Sequence, residues 1–265
     1  MNIPFVKAHG ALNDFILSWT TDVPETENFP AIARAICHRH AGIGADGWML
    51  VRPGSGNSHG AIQLINSDGS LSEISGNGTR CAAAWLVREG HAPAGHVTIR
   101  TGAGIKELEV IHRDGNKFLF EMNMGRAIFP GEVISQLDGR DVTILNVGNP
   151  QCVVFVDDFE LEWRTLGVAI EHHSYFPART NVSFVRVISP DRLEVRFWER
   201  GAGETQSSGT GSTGAAAAAF ARGLISGPVT IETPAGPLAI VWRNEEIYLT
   251  GPAELTAQGL YYWTA

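Results

Sequence analysis

The sequence predicts an α+β fold of two similar lobes, each a set of strands wrapped around one buried, alanine-rich helix. Two internal matches carry this prediction. Ser75-Gly76-Asn77-Gly78 opens one helical segment and Ser208-Gly209-Thr210-Gly211 opens another. Laid over each other without a gap, Ser75 to Gly90 and Ser208 to Gly223 agree at the serine, both loop glycines, three consecutive alanines and the closing glycine. Val97-Thr98-Ile99-Arg100-Thr101-Gly102-Ala103-Gly104 returns as Val229-Thr230-Ile231-Glu232-Thr233-Pro234-Ala235-Gly236, at the same offset to within one residue. Two ordered matches half a chain apart mark an internal duplication. The third observation is the alanine run itself, strong in helix propensity and small in bulk, which suits a helix tightly enclosed by other elements.

In chain order, Ile3 to Thr20 reads as two strands around the turn His9-Gly10-Ala11-Leu12-Asn13-Asp14. Pro30 stands where a helix begins, Ala31 to His38 has helical spacing, and Gly42 and Gly44 end it. Trp48 to Val51 and Ile62 to Ile65 read as strands, and Asn66 to Ser70 is the loop before the first glycine-rich turn and the Ala82 to Arg88 helix. Val97 to Thr101, Leu108 to Ile111 and Phe118 to Met122 alternate as strands do. The turn Asp114-Gly115 sets the boundary between an N-terminal lobe at 1–115 and a C-terminal lobe at 116–252, with a tail at 253–265. The second lobe repeats the scheme. Thr143 to Val147 and Cys152 to Val156 flank Gly148-Asn149-Pro150-Gln151; Val182 to Val187 and Leu193 to Trp198 follow. After the Ala215 to Ala221 helix, Val229 to Thr233, Ala239 to Trp242 and Ile247 to Thr250 close the sheet.

Each Ser-Gly-x-Gly turn has chemical meaning as a helix start. The first turn of a helix leaves backbone N–H groups unpaired and gathers partial positive charge, and glycine lets a ligand approach closely. The pair reads as two anion cradles; a serine-capped turn is the plain alternative for either one alone. Composition narrows the function further. Among 265 residues, 44% are apolar and 18% charged, an ordinary globular balance, and the formal charge of −8 disfavours nucleic acid or an anionic membrane as partner. No apolar run approaches the roughly 20 residues of a membrane span. Three scattered cysteines, Cys37, Cys81 and Cys152, suggest a reducing, cytoplasmic setting. Cys37-His38-Arg39-His40 has no standard metal spacing, so no metal is expected.

Longer motifs resemble the diaminopimelate epimerase family. They are His9-Gly10 with Asn13-Asp14-Phe15, Arg39-His40 with Gly42-Ile43-Gly44-Ala45-Asp46-Gly47, and Asn66 with Asp68-Gly69-Ser70. The series continues through Gly76-Asn77-Gly78-Thr79-Arg80-Cys81, Gly148-Asn149-Pro150, Phe176-Pro177 with Asn181-Val182, and Glu199-Arg200-Gly201-Ala202-Gly203-Glu204-Thr205. The resemblance implies two pseudo-symmetric lobes, each a β-barrel around a central helix, with the substrate between them. It implies cofactor-independent isomerisation of LL- and meso-diaminopimelate, one cysteine removing the α-proton and a second reprotonating the opposite face. It assigns binding of a small zwitterionic amino acid to Asn13, Asn66, Gly76, Asn77, Asn149, Asn181, Glu199, Arg200, Gly209 and Thr210, and makes a homodimer plausible.

The chemistry departs from that family at three positions. Ser75 and Ser208 stand where the two cysteines belong, and Gln151 stands where a histidine follows Asn-Pro. A thiol has a reference pKa near 8.5 and is tuned lower at a helix N-terminus; an aliphatic hydroxyl is a far weaker acid and needs a strong neighbouring acceptor. The expected catalytic set is Ser75, Ser208 and Glu199. Cys81 lies about 9 Å further along its helix at about 1.5 Å per residue, and Cys152 faces away from Gln151 if both lie in a strand. Three readings stay open. The serines are substitutions made to trap a substrate, which Gln151 counts against. Alternatively, the protein binds its amino acid silently or isomerises it with one carboxylate, Glu199, Glu73 or Asp46. In the third, Glu199 polarises Ser208 in a slow epimerase.

Overall fold

The computed structural model describes residues 2–23 and 28–264. The chain divides into two compact units, Met1–Met122 with Gly251–Ala265, and Asn123–Thr250. In the first, β1 (Asn2–Gly10) and β2 (Asn13–Trp19) precede α1 (Phe29–Ile36), β3 (Gly47–Pro53), β4 (Gly60–Asn66) and the short β5 (Leu71–Ser72). Then come α2 (Gly76–Arg88), β6 (His96–Thr101), β7 (Gly104–Asp114) and β8 (Lys117–Gly125). The second unit has β9 (Ser135–Leu137), β10 (Arg140–Asn146), β11 (Pro150–Phe155), α3 (Trp163–Glu171), β12 (Asn181–Ser189), β13 (Arg192–Glu199) and β14 (Gly203–Thr205). It continues with α4 (Gly209–Ala221), β15 (Val229–Thr233), β16 (Gly236–Arg243) and β17 (Glu246–Tyr262).

The duplication extends to strand pairing. In the first unit β2 runs parallel to β3 and β4 parallel to β6, while β1–β2, β3–β4, β6–β7 and β7–β8 are antiparallel. In the second unit β11 is parallel to β12 and β13 to β15, with β10–β11, β12–β13, β15–β16 and β16–β17 antiparallel. A parallel pair needs a crossover connection. The four helices supply them, α1 and α3 at the first parallel pair of each unit and α2 and α4 at the second. Asp114 and Lys117 pair across the β7–β8 hairpin turn. The segment 253–262 supplies the second half of β17, which pairs with β1 from Asn2↔Tyr262 to His9↔Glu254.

Both central helices are enclosed. Every residue of α2 from Gly76 to Val87 is buried, and every residue of α4 from Gly209 to Ala219. That enclosure explains the alanines: Ala82, Ala83, Ala84, Ala215, Ala216, Ala218 and Ala219 have no exposed surface, so a larger side chain has nowhere to go. A second apolar layer lies under each crossover helix. Ile32, Ala33 and Ile36 of α1 pack with Ile3, Ile16, Trp48 and Ile65, and Trp163 and Ile170 of α3 pack with Val142, Ile144, Cys152, Val154 and Phe184.

Pattern reading and structure differ at the weak signals. Helix α1 starts at Phe29, with Pro30 in its first turn. The short β5, β9 and β14 carry too few residues for a period to show, and α3 was not expected at all. Glu162 at its N-cap makes no side-chain cap, and Gly167 sits mid-helix, where propensity is poor. Gly167 is needed there because a Cβ would lie 2.7 Å from Cγ of Trp198. The burial of Trp163, Gly167, Ile170 and Glu171 still traces one helical face.

Candidate active site

Ser75 and Ser208 occupy the same position in their units, each the N-cap of its central helix. Both have extended backbone, at φ −127°, ψ 122° and φ −135°, ψ 123°. Ser75 Oγ accepts from Gly78 N at 3.1 Å and Ser208 Oγ from Gly211 N at 3.0 Å, as an N-capping hydroxyl does. The glycine at that third position lets a neighbouring side chain close on the turn: a Cβ on Gly78 would lie 2.6 Å from Met49 Cε, and one on Gly211 2.7 Å from Phe197 Cδ1.

The two starts differ in what accepts the hydroxyl proton. Ser208 is buried and donates to Glu199 Oε2 at 2.8 Å, while Thr205 Oγ1 donates to Glu199 Oε1 at 2.7 Å. Glu199, the last residue of β13, is thus fixed at both oxygens beside the start of α4. Ser75 is half-buried and follows Glu73, which is exposed. An equivalent serine–carboxylate bond is not among the hydrogen bonds of Ser75.

Asparagines brace both starts from the strand side. In the first unit Asn77 Nδ2 donates to Asn13 Oδ1 at 3.1 Å, and Asn13 Nδ2 donates to Asp46 Oδ2 at 2.7 Å. In the second, Asn149 Nδ2 donates to Thr210 Oγ1 at 3.2 Å and Asn149 Oδ1 accepts from Gln151 Nε2 at 2.7 Å. Asn13, Asn77, Asn149 and Thr210 are all buried. The structure therefore brings together Ser75, Gly76, Asn77 and Asn13 in one unit, and Ser208, Gly209, Thr210, Asn149 and Glu199 in the other. Asn181 and Arg200 form a second cluster in that unit: Asn181 Oδ1 accepts from Arg200 N at 3.1 Å, its Nδ2 donates to Pro150 O at 2.9 Å, and Arg200 Nη1 donates to Ala178 O at 3.1 Å. Asn66, half-buried at the end of β4, donates to Ser70 Oγ at 3.0 Å.

Gln151 is fully buried and its Oε1 has no hydrogen-bond partner among the described residues. Its side chain lies against Gly214 of α4, where a Cβ would be 3.2 Å from Gln151 Cγ. The adjacent Cys152 faces the other way, into the cluster under α3. Burial pushes the thiols of Cys37, Cys81 and Cys152 up to about 12, so none supplies a thiolate near neutrality. His38 Nδ1 accepts the backbone N–H of His40 and Ala41, so that ring closes a turn.

Sequence reading missed much of the scaffold around these groups. Asp14 and Asp46 exchange hydrogen bonds: Asp46 N donates to Asp14 Oδ1 and Asp14 N to Asp46 Oδ2, each at 3.1 Å. Lys7 and Arg39 pair with Asp14 at 2.5 and 2.8 Å, and Arg39 reaches Asp46 at 2.6 Å. Burial pushes Asp14 up, but hydrogen bonds and charge from Arg39 and Lys7 outweigh it and hold its carboxyl below the usual value. Burial, reinforced by the charge of Asp14, pushes Asp46 up. Arg80, fully buried, bonds Asn77 Oδ1 and Pro252 O. The signal for this scaffold was the density of Asp, Asn and Arg in the motifs around 13–14, 39–46 and 77–80.

The family model for diaminopimelate epimerase matches residues 5–130 and 143–256. Diaminopimelate epimerase from Pelotomaculum thermopropionicum is 37% identical, over 97% of this chain and 98% of that protein. The enzyme of the same name from Microcystis aeruginosa is 39% identical over 98% and 99%. Among solved structures, a hydroxyproline epimerase from Agrobacterium vitis with bound trans-4-hydroxy-L-proline superposes with a TM-score of 0.79 at 15% identity, covering 98% of this chain and 92% of that one. A methylitaconate-delta-isomerase superposes with a TM-score of 0.64 at 16% identity, covering 98% and 95%.

Proposed function

The chain belongs to the diaminopimelate epimerase family, isomerases of the epimerase class, and from that premise we propose that it is a cofactor-independent isomerase working at the α-carbon of a diaminopimelate-like amino acid. The observation that carries the proposal is the Ser208–Glu199 bond at the start of α4. A serine hydroxyl alone is too weak a base for an α-proton, and a carboxylate accepting its proton supplies the missing basicity. In the forward step the α-proton passes to Ser208 Oγ while the hydroxyl proton passes to Glu199 Oε2. The electron pair left on the α-carbon spreads into the substrate α-carboxylate. Backbone N–H groups and the helix dipole at Gly209 and Thr210 stabilise that charge as it develops.

Inversion needs a proton delivered to the opposite face, and the family pattern assigns this to Ser75, with Gly76 and Asn77 as the second cradle. Among the described residues Ser75 has no partner like Glu199, so the Ser208 side exchanges protons with solvent faster than the whole site inverts the stereocentre. Arg200 binds the distal carboxylate, and Asn181 and Asn66 bind the distal polar groups. Cytoplasmic location and a homodimeric state complete the reading.

The test is solvent exchange. In heavy water the protein incorporates deuterium at the α-carbon of meso- or LL-diaminopimelate, followed by NMR or mass spectrometry. Glu199→Gln reduces that rate at least a hundredfold, the lower end of the range for loss of a general base. Saturable binding by calorimetry with no label incorporated identifies a silent amino-acid-binding protein and overturns the proposal. A Glu199→Gln rate equal to the unaltered protein's removes Glu199 from the mechanism.

A further inference from the structure

Beside the Asn181 and Ala178 contacts to Arg200, the turn that carries Glu199 and Arg200 is held by a buried carboxylate, Glu171, the last residue of α3. Its side chain is 5% exposed. Oε2 accepts the indole N–H of Trp198 at 2.8 Å, and Oε1 accepts the backbone N–H of Gly201 at 3.1 Å. These contacts fall on the residues immediately before Glu199 and immediately after Arg200. Arg179 Nη1 approaches the same Oε1 at 3.4 Å, from the segment that carries Ala178, whose carbonyl receives Arg200 Nη1.

Shape complements these bonds. The Trp198 indole lies against Gly167, one turn earlier on α3, where any Cβ would stand 2.7–3.0 Å from the ring and its stem. Gly201 has a left-handed backbone, φ 76°, and so does Gly203, φ 75°. The β13–β14 pairing at Glu199↔Gly203 and the Ala202 N to Glu199 O bond at 3.0 Å close this turn, and two such glycines leave its lean against α3 to contacts from outside. The hydrogen-bonded carboxylate of α3 supplies them on both sides of the pair.

We propose that Glu171 is a positioning residue: by binding Trp198 and Gly201 together it sets the placement of Glu199 against Ser208 and of Arg200 toward the distal end of the substrate. Glu171 touches neither proton nor substrate. The inference rests on the proposed roles of Glu199 and Arg200, but its structural half stands apart from them. A preorganised carboxylate must be held to a fraction of an ångström to keep its rate advantage, so loosening the turn costs turnover before it costs stability.

The experiment uses the full chain with Glu171→Gln, which keeps one acceptor oxygen and nearly the same shape, and Trp198→Phe, which removes the indole donor together with part of the ring. Two quantities are read: backbone amide exchange of residues 199–203 against that of the α4 start, and α-deuteration of diaminopimelate resolved into kcat and KM. Glu171→Gln is expected to raise amide exchange at 199–203 at least tenfold, lower kcat about tenfold and raise KM severalfold. Glu171→Asp, which keeps both oxygens on a shorter arm, recovers part of each loss. Unchanged amide protection overturns the proposal, as does a loosened turn with kcat and KM intact. If the unaltered protein neither exchanges the α-proton nor binds diaminopimelate, the functional reading fails by itself, and the positioning claim is decided by the amides. If Glu171→Gln does not fold, Trp198→Phe decides by the same readouts.

Discussion

By the family resemblance, oxygen stands for sulfur at two positions of the proposed site, Ser75 and Ser208. At both positions the hydroxyl is already occupied as a helix cap, and among the described residues only Ser208 also has a carboxylate to take its proton. Restoring sulfur is expected to restore inversion only when Gln151 is changed as well. The fully buried Gln151 offers an amide where the family resemblance implies a histidine, which is titratable. Ser75→Cys with Ser208→Cys should give at most a small gain in epimerisation, and adding Gln151→His should raise it at least tenfold. Circular dichroism or coupled assay of LL- to meso-diaminopimelate conversion checks the series. Equal rates for the double and triple changes would show that residue 151 has no part in the proton economy. These three departures are readings of the sequence against the family pattern. The Ser208–Glu199 bond was only a conjecture there, because it joins the end of β13 to the start of α4 by a fold-dependent distance.

At the scale of elements, the turn between β1 and β2 is anchored to the loop before β3 by the Asp14–Asp46 box, and Asn13 extends from that box to Asn77 on α2. The two carboxylates act with opposite sign on stability. Asp14 is held below its ordinary value, so its contribution is complete above the unfolded pKa of about 3.9 and disappears as pH falls through the lower folded value. Asp46 is held above its ordinary value, so its ionisation opposes folding as pH rises through that higher value. Asp14→Asn is therefore expected to cost about 1–2 kcal/mol at pH 7, given the screening of the half-exposed Arg39 partner. That cost shrinks towards zero in acid, below the folded pKa. Urea midpoints of both proteins at pH 7 and in acid read the difference, and a constant gap would contradict the shift. Helices α2 and α4 were legible from their repeated glycine-rich starts and alanine runs, and the central strands from alternation. The box was not, because its partners Asp14, Arg39 and Asp46 belong to separate segments and carry no period. Helix α3 was legible only through the duplication: once β2–α1–β3 is read in the first lobe, a crossover between β11 and β12 is required.

At the scale of the whole molecule, the duplication seen in two short sequence matches proves to be a duplication of topology, strand for strand and crossover for crossover. Strand β17 is where the two copies are joined: Ile247 to Thr250 pair with β16 in one unit, and Glu254 to Tyr262 pair with β1 in the other. No spacing rule in the sequence divides a continuous apolar-alternating strand between two units. Removing 251–265 is expected to unfold the N-terminal unit in preference to trimming a dispensable end. β1 would lose its outer neighbour along nearly its whole length, and Arg80 would lose the Pro252 carbonyl. Limited proteolysis followed by mass spectrometry reads this as early cleavage within 2–122. Native-like protection of that region in the truncated chain would contradict it.

The same strand has a consequence for biosynthesis. A ribosome releases the N-terminal half first, yet the segment that pairs with β1 is made only after the whole second unit. The earlier half must wait, partly assembled, through the synthesis of everything between, with the edge of β1 open to any other extended chain in the cell. Production of this protein should therefore depend more on what shields that edge during translation than on the final stability of the finished fold.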